Sequence, residues 1–227
     1  MPRALYSDRQ EAGRILAAAV KRELGRKVLA SGTPLVLAIP RGGVPIGHEV
    51  AGAIHADLDL VVPRKLGAEG NREYGIGAVM HDGTLYLNPE ALAITGASED
   101  YIQAVKATEM KEAARRLKAY RGGRPEPAIS GRAVLVVDDG VATGATMMVS
   151  LRWVRSRGAR VVVAAVPVAP PSTLGMLRQE ADFVVCPHAP EPFYAIGAFY
   201  ENFEQVSDEQ VEKTLQEYWG RAARGPR

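Results

Sequence analysis

The hydrophobic pattern of this chain alternates between short apolar runs and longer segments with helical spacing. The short runs are rich in β-branched residues and predict strands that are buried on both faces. The longer segments place apolar residues three and four positions apart and predict amphipathic helices. Predicted strands cover 35–39, 58–62, 134–137, 160–166 and 182–186; predicted helices cover 8–24, 44–54, 98–121, 147–157, a segment after 172, and 207–219. This order predicts an α/β fold, with a doubly wound, mostly parallel sheet and helices on both faces.

Two further stretches do not fit the alternation of strand and helix. Residues 75–80 and 84–87 flank His81-Asp82-Gly83, a turn sequence, and therefore predict a β-hairpin. Residues 66–75 are polar and contain glycine, which predicts a loop exposed to solvent. The length of the chain fits a single domain over 1–227.

The charged residues nearly cancel, with 28 basic against 26 acidic side chains and a net charge of +2. This balance argues against a strongly electrostatic nucleic-acid platform. Cys186 is the only cysteine, which excludes an intrachain disulfide and favours a reducing compartment. No apolar run reaches transmembrane length, and the N-terminus lacks the apolar core of a signal peptide. We therefore expect a cytoplasmic protein with neither a nucleic acid nor a membrane as its partner.

The most informative stretch is Val134–Thr146, with the sequence VLVVDDGVATGAT. Its buried strand ends in Asp138 and Asp139, and a loop of small residues leads to a helix N-terminus, where free N–H groups and the helix dipole favour an anion. Neighbouring carboxylates suit the hydroxyls of a diol, or a divalent cation held through water. A sugar phosphate combines these features. The alternative interpretation is a parallel strand that ends in a turn with solvated aspartates.

This stretch resembles the phosphoribosyl diphosphate (PRPP) signature of type I phosphoribosyltransferases. The resemblance covers about 35–186 and implies an enzyme that transfers the 5-phosphoribosyl group from PRPP to a nitrogen acceptor and releases pyrophosphate. It implies that Asp138 and Asp139 bind the ribose hydroxyls and the Mg²⁺ cofactor, and they are the nearest candidates for a general base. The loop that would hold the 5′-phosphate consists of Gly140, Val141, Ala142, Thr143, Gly144, Ala145 and Thr146.

Two other strand ends offer residues for the pyrophosphate. Gly42 and Gly43 follow Arg41 after the first strand, and glycines there allow the backbone to approach a ligand closely. In the family this is the position of the pyrophosphate loop, which often contains a cis or strained peptide bond. Arg64 and Lys65 resemble an Arg-Lys pair that contacts pyrophosphate in some members. We expect catalytic roles for Asp138, Asp139, Lys65 and Arg41, and substrate binding by Arg41, Gly42, Gly43, Arg64, Lys65 and residues 138–146.

Residues 66–75 occupy the place of the loop that closes over the site in this family. Only Arg72 and Glu73 could stand in here for the basic motifs of the better-known closing loops. A solvated connection is the alternative interpretation of this segment.

The family also has a variable unit outside the core, the hood, which holds the nucleobase. We assign the core to about 30–186 and the hood to about 187–206 together with the N-terminal helix. Aromatic residues are concentrated in 193–203, at Phe193, Tyr194, Phe199, Tyr200 and Phe203, and this segment resembles the purine-salvage branch. They either stack on a base or form the hood's own core. No Lys or Arg occurs between Cys186 and Val211, so we expect a purine acceptor in nucleotide salvage rather than orotate.

Two functions of other kinds are alternatives. A regulatory or accessory protein could bind PRPP or a nucleotide without turnover, which predicts a basic DNA-contacting face or an added helix-turn-helix, and neither is visible in the sequence. A PRPP-dependent partner in DNA uptake would share the core motif, but its usual Cys-rich segment is missing. The partners we expect are PRPP and a small-molecule acceptor, and a homo-oligomer is compatible with the sequence.

Overall fold

The computed structural model describes residues 4–29 and 32–222. The helices are α1 Arg9–Leu29, α2 Gly43–Ile54, α3 Pro89–Thr95, α4 Glu99–Arg121, α5 Ala145–Ser156, α6 Pro171–Leu177 and α7 Asp208–Ala222, with a short 3₁₀ helix at Ile196–Phe199. The strands are β1 Leu35–Ala38, β2 Asp57–Leu60, β3 Arg64–Ala68, β4 Asn71–Val79, β5 Leu85–Leu87, β6 Ala133–Val137, β7 Val161–Ala165 and β8 Phe183–Val185. The predicted domain limits at 1 and 227, and the predicted start of the core near 30, lie outside the described residues.

Five strands form one parallel sheet in the order β2-β1-β6-β7-β8, which confirms the predicted fold class. The central strand β6 is buried along its whole length. Leu135 and Val137 face a core formed with α1, α2 and α7, whereas Val134 and Val136 face a second core that includes α5. Because both faces of β6 are covered by helices, its sequence shows an unbroken apolar run.

A second sheet is antiparallel, in the order β3-β4-β5. The β4–β5 pair confirms the predicted hairpin, with Gly77 opposite Leu87. The predicted loop at 66–75 is wrong, because most of it forms β3 and the first half of β4, with Lys65 opposite Ala78. Leu66 and Ala68 are buried and Lys65 is exposed, but Gly67 between the two apolar residues is buried as well, so this strand lacks a clear alternation in its sequence.

Helix ends follow local capping. Asp8 accepts a hydrogen bond from the Glu11 N–H at 2.8 Å, and Ser98 accepts one from the Tyr101 N–H at 3.2 Å, so α1 and α4 begin where the sequence predicts. Helix α3 was not predicted. Phe183 is 40% exposed because β8 is an edge strand.

The chain before α1 joins the region after β8. The N–H groups of Leu5 and Tyr6 both donate to the Phe199 carbonyl, and the Glu201 N–H donates to the Tyr6 carbonyl. Phe199 and Tyr200 are buried in the same core as α1. Leu5 and Tyr6 thus pack together with the segment 193–206 against the parallel sheet. Within the described chain, no helix has both the length and the apolar character needed to cross a membrane.

Candidate active site

The candidate site lies where β1 and β6 end side by side. Ala38 is paired with Val137, so the turn after β1 and the acidic pair after β6 leave the sheet together. The Ile39 N–H donates to the Val137 carbonyl at 2.8 Å and continues this pairing. The carboxyl edge of a parallel sheet is the usual position of a ligand in such folds.

The two glycines after β1 are required by close contact with the acidic pair. A Cβ atom on Gly42 would collide with the Asp139 carboxylate, and one on Gly43 would lie 2.7 Å from the Val137 carbonyl oxygen. The sequence predicted close approach of this turn to a ligand, and the structure shows close approach to Asp138 and Asp139. The Pro40–Arg41 peptide bond is cis, as we expected for this turn.

Asp139 is paired with an arginine that the sequence analysis missed. Arg9, the first residue of α1, donates from Nε to Asp139 Oδ2 at 2.8 Å and from Nη1 to the Glu204 carbonyl at 2.7 Å. Its guanidinium lies 3.9 Å from the centre of the Phe203 ring, and the pair is largely buried. An arginine in the first turn of a helix opposes the helix dipole, so Arg9 carried a local signal that it serves another purpose.

The two aspartates have different electrostatic environments. Burial raises the pKa of the Asp138 carboxyl well above its usual range, and the charge of Asp139 raises this pKa further. Burial also raises the pKa of Asp139, but the Arg9 guanidinium opposes this rise. One oxygen of Asp138 accepts the Asp139 N–H at 2.9 Å. Asp139 is therefore paired with a cation, while Asp138 is half-buried and its second carboxylate oxygen accepts no hydrogen bond from the described residues.

The loop after the acidic pair leads into α5 through Gly144. Gly144 has φ +85° and caps α5 without a side-chain hydrogen bond. Among the described residues no acceptor meets the backbone N–H groups of Thr143, Gly144, Ala145 and Thr146. Thr143 is exposed and Thr146 half-buried, whereas the side chains of Val141 and Ala145 belong to the core. Ala145 can thus meet a ligand only through its backbone, whereas the Val141 N–H already donates to the Val168 carbonyl. The N–H groups of 143–146 are the unpaired donors that the loop presents to an anion.

The predicted cationic residues are less closely assembled. Arg41 Nη1 lies 3.7 Å from Asp208 Oδ1 at the start of α7, and Arg64 Nε donates to Glu109 Oε2 on α4 at 2.8 Å. Lys65 has no ion-pair partner in the described chain and lines a groove of about 610 Å³ between the β3–β4 hairpin and α4, together with Arg64 and Arg72. The structure brings Gly42, Gly43 and 138–146 together, and it pairs Arg41 and Arg64 with acids outside this cluster.

Comparisons with known proteins identify the family of this chain. A family model described as a phosphoribosyl transferase domain matches residues 8–202. The chain belongs to the phosphoribosyltransferase family. Two proteins from different strains of Mycobacterium tuberculosis, each named "Putative phosphoribosyl transferase", are 39% identical over 207 residues, which is 91% of this chain and 45% of theirs. The chain thus spans about half the length of the curated relatives it matches.

A solved structure is similar over nearly the whole chain. TT1426 from Thermus thermophilus is 42% identical, with a TM-score of 0.77, and the match covers 94% of this chain and 98% of that one. Both chains therefore share one fold.

The metal-binding capacity of this phosphoribosyltransferase-family site is limited. Among residues 4–29 and 32–222, no group of three or more His, Cys, Asp or Glu side chains could hold a metal ion. The acidic pair alone remains, and Arg9 already engages Asp139. Mg²⁺ is often held by one or two carboxylates, substrate phosphates and water, so the residues fit an ion that arrives with its substrate.

The aromatic residues of the predicted hood mostly build its own packing. The Tyr200 ring centre lies 5.2 Å from that of Tyr6 and 4.9 Å from that of Phe203, and the Phe193 ring lies 4.9 Å from Phe199. Tyr194 is 85% exposed. Of the two interpretations of these aromatics, the structure favours a core for most of them and leaves Tyr194 as the residue free to meet a ligand.

Proposed function

We propose that this chain transfers the 5-phosphoribosyl group from PRPP to a nitrogen of a nucleobase, with release of pyrophosphate, in the cytoplasm. One observation carries the proposal: the unpaired N–H groups at the N-terminus of α5 lie on the loop that directly follows a partly exposed carboxylate, Asp138. The N–H groups suit the phosphate of a ribose 5-phosphate group, and the neighbouring carboxylate suits hydrogen bonds from its ribose hydroxyls.

The residues would divide the substrate among them. The loop 140–146 would hold the 5′-phosphate through backbone N–H groups and the hydroxyls of Thr143 and Thr146. Asp138 would accept hydrogen bonds from the ribose hydroxyls. The backbone of Gly42 and Gly43, with Arg41, Arg64 and Lys65, would bind the pyrophosphate. Arg41 and Arg64 would then have to share their charge with Asp208 and Glu109.

The proposed reaction would use this arrangement in the following way. The acceptor nitrogen attacks C1′ of PRPP, the C1′–oxygen bond breaks, and its electron pair leaves with the pyrophosphate as C1′ inverts. Positive charge develops on the ribose ring, so the Asp138 carboxylate would stabilise the transition state by position and charge. A proton on the acceptor nitrogen would pass to a base, for which Asp138 is the nearest unpaired candidate. Mg²⁺, when bound, would neutralise charge on the pyrophosphate oxygens and would be held by the acidic pair.

A second function has one observation in its favour. Arg9 is paired with Asp139, Glu109 with Arg64 and Asp208 with Arg41. Three of the proposed binding groups thus already have a charged partner. A regulatory or accessory protein could bind PRPP or a nucleotide in this arrangement without turning it over.

A two-step experiment separates these functions. Calorimetry with PRPP and Mg²⁺ should show binding by the wild-type protein, and D138N should bind at least about 10-fold more weakly because a charge-assisted hydrogen bond is lost. A panel of nucleobases is then added and pyrophosphate release is followed. Release with one base supports the enzyme; binding without release for any base supports the regulatory protein; no binding contradicts both.

A further inference from the structure

Two side chains from distant elements donate hydrogen bonds to the backbone carbonyl groups of Asp139 and of the loop 140–146 that follows it. The Tyr200 hydroxyl donates to the Asp139 carbonyl oxygen at 2.6 Å, and Thr173 Oγ1, on α6, donates to the Ala142 carbonyl oxygen at 2.5 Å. Both side chains are buried. Between these two contacts, the Val141 N–H donates to the Val168 carbonyl at 3.0 Å. Three successive parts of this segment are thus tied to neighbouring elements by hydrogen bonds.

These contacts determine where the loop's remaining polar groups point. In a trans peptide the carbonyl and the following N–H point in opposite directions. A carbonyl of Asp139 that faces Tyr200 therefore directs the Gly140 N–H away from Tyr200. The Ala142 carbonyl faces Thr173 on α6, so the Thr143 N–H likewise points away from α6.

We infer that Thr173 and Tyr200 are positioning residues that set the loop's N–H groups for a phosphate before the ligand arrives. This inference rests on the proposed function, since it assumes that the loop binds the 5′-phosphate. Donors that are already oriented need no rearrangement during binding or reaction, which is the condition under which they stabilise an anion most. Without the hydroxyls, the two peptide groups would be free to rotate and their N–H groups would have to be ordered by the ligand.

The packing around Thr173 allows the hydroxyl to be tested separately from the methyl group. Its Cγ2 lies where a Cβ on Gly144 would come within 3.1 Å, so the methyl fills space beside the cap of α5. T173V keeps this shape and removes the hydroxyl, whereas T173S keeps the hydroxyl and removes the methyl. Y200F removes only the hydroxyl of Tyr200 and keeps its ring against Tyr6.

The experiment compares two ligands by calorimetry, ribose 5-phosphate and pyrophosphate with Mg²⁺. T173V and Y200F should each bind ribose 5-phosphate about 3- to 10-fold more weakly, the effect of one neutral hydrogen bond, and should bind pyrophosphate as the wild type does. T173S should restore ribose 5-phosphate binding. The control is T95V, which removes a hydroxyl-to-carbonyl bond of 2.8 Å within α3 and should change neither affinity.

Several outcomes would overturn the inference. Unchanged ribose 5-phosphate binding in both T173V and Y200F would show that the loop does not depend on the hydroxyls. Equal losses for both ligands, or no recovery in T173S, would show a general structural effect. A wild-type protein that does not bind ribose 5-phosphate would overturn the inference and the proposed function together. Binding without transfer to any base would contradict only the proposed enzyme.

Discussion

The loop at 138–146 and the β3–β4 hairpin would bind opposite ends of one substrate, but they are held in different ways. The loop is tied to α1, α6 and the segment after β8 through Arg9, Thr173 and Tyr200. In the hairpin, residues 69–74 are all exposed, and Tyr101 is the α4 side chain that bonds its backbone, at the Gly67 carbonyl. The loop would rely on dipoles that buried side chains orient, whereas the exposed Lys65 and Arg72 would act from solvent, where salt screens their charge.

The largest expected effect is at Gly144, where the loop is most constrained. G144V places a branched side chain at φ +85° and against Thr173, so it should weaken ribose 5-phosphate binding about 100-fold or more through the loss of several charge-assisted hydrogen bonds. G96V is the matched control, because Gly96 also has positive φ, at the end of α3, with open space around it. Equal affinity of G144V and the wild type for ribose 5-phosphate would show that this constrained loop does not bind the phosphate.

The acidic pair should respond unequally to the loss of charge. D138N and D139N should each weaken PRPP binding about 10- to 100-fold. D139N should also destabilise the fold by about 1–3 kcal/mol, because the buried Arg9 loses its carboxylate partner. Urea unfolding at neutral pH measures this difference, and a D139N variant as stable as the wild type would mean that Arg9 does not depend on Asp139.

D138N should have the opposite effect on stability. The pKa of Asp138 is raised in the folded state, so the folded protein holds this proton more tightly than the unfolded chain. The free energy of unfolding then falls as the pH rises through the pKa of Asp in the unfolded chain, about 3.9. The ionised side chain therefore destabilises the folded protein at neutral pH. We expect D138N to raise the Tm at pH 7 and to lose this advantage below about pH 4. A lower Tm for D138N at pH 7 would show that Asp138 stabilises the fold when ionised.

In the β3–β4 hairpin, a substitution should weaken ligand binding less, and by an amount that depends on salt. K65M should weaken pyrophosphate binding about 3- to 10-fold at low salt and less at high salt, because the charge is exposed. K111M, an exposed lysine of α4 outside the groove, is the control and should leave pyrophosphate binding unchanged. A loss in K65M that is independent of salt would place Lys65 in a buried contact and remove the contrast between hairpin and loop.

The smallest expected difference concerns the acceptor. The segment after Cys186 carries acids such as Glu191, Glu201 and Glu204, and Arg9, a cation that the structure brings beside it, is bound to Asp139. A purine mononucleotide should therefore raise the Tm more than orotidine monophosphate does, by about 2–4 °C for each kcal/mol of difference in binding. Equal shifts, or a larger one for the orotidine nucleotide, would remove the basis for preferring purines.

Much of the core was predictable because its signals are local. The apolar run of β6 covers five residues that are buried on both faces, and the capping residues Asp8 and Ser98 stand directly before their helices. The hairpin strand β3 was missed for an equally local reason. Its inward residues, Leu66 and Ala68, are separated by a glycine and preceded by two cations, so the period of two is too short to recognise.

By itself, the sequence determined the parallel core, the acidic pair at the end of β6 and the glycine-rich turns that lie beside it, since each depends on neighbouring residues. Only the tertiary structure decided what holds these groups in place. Arg9 reaches Asp139 across 130 positions, Tyr200 reaches its carbonyl across 61, and Thr173 reaches Ala142 across 31. No local pattern encodes such contacts, because they arise when the sheet brings distant segments to one edge and the buried polar groups must find partners there.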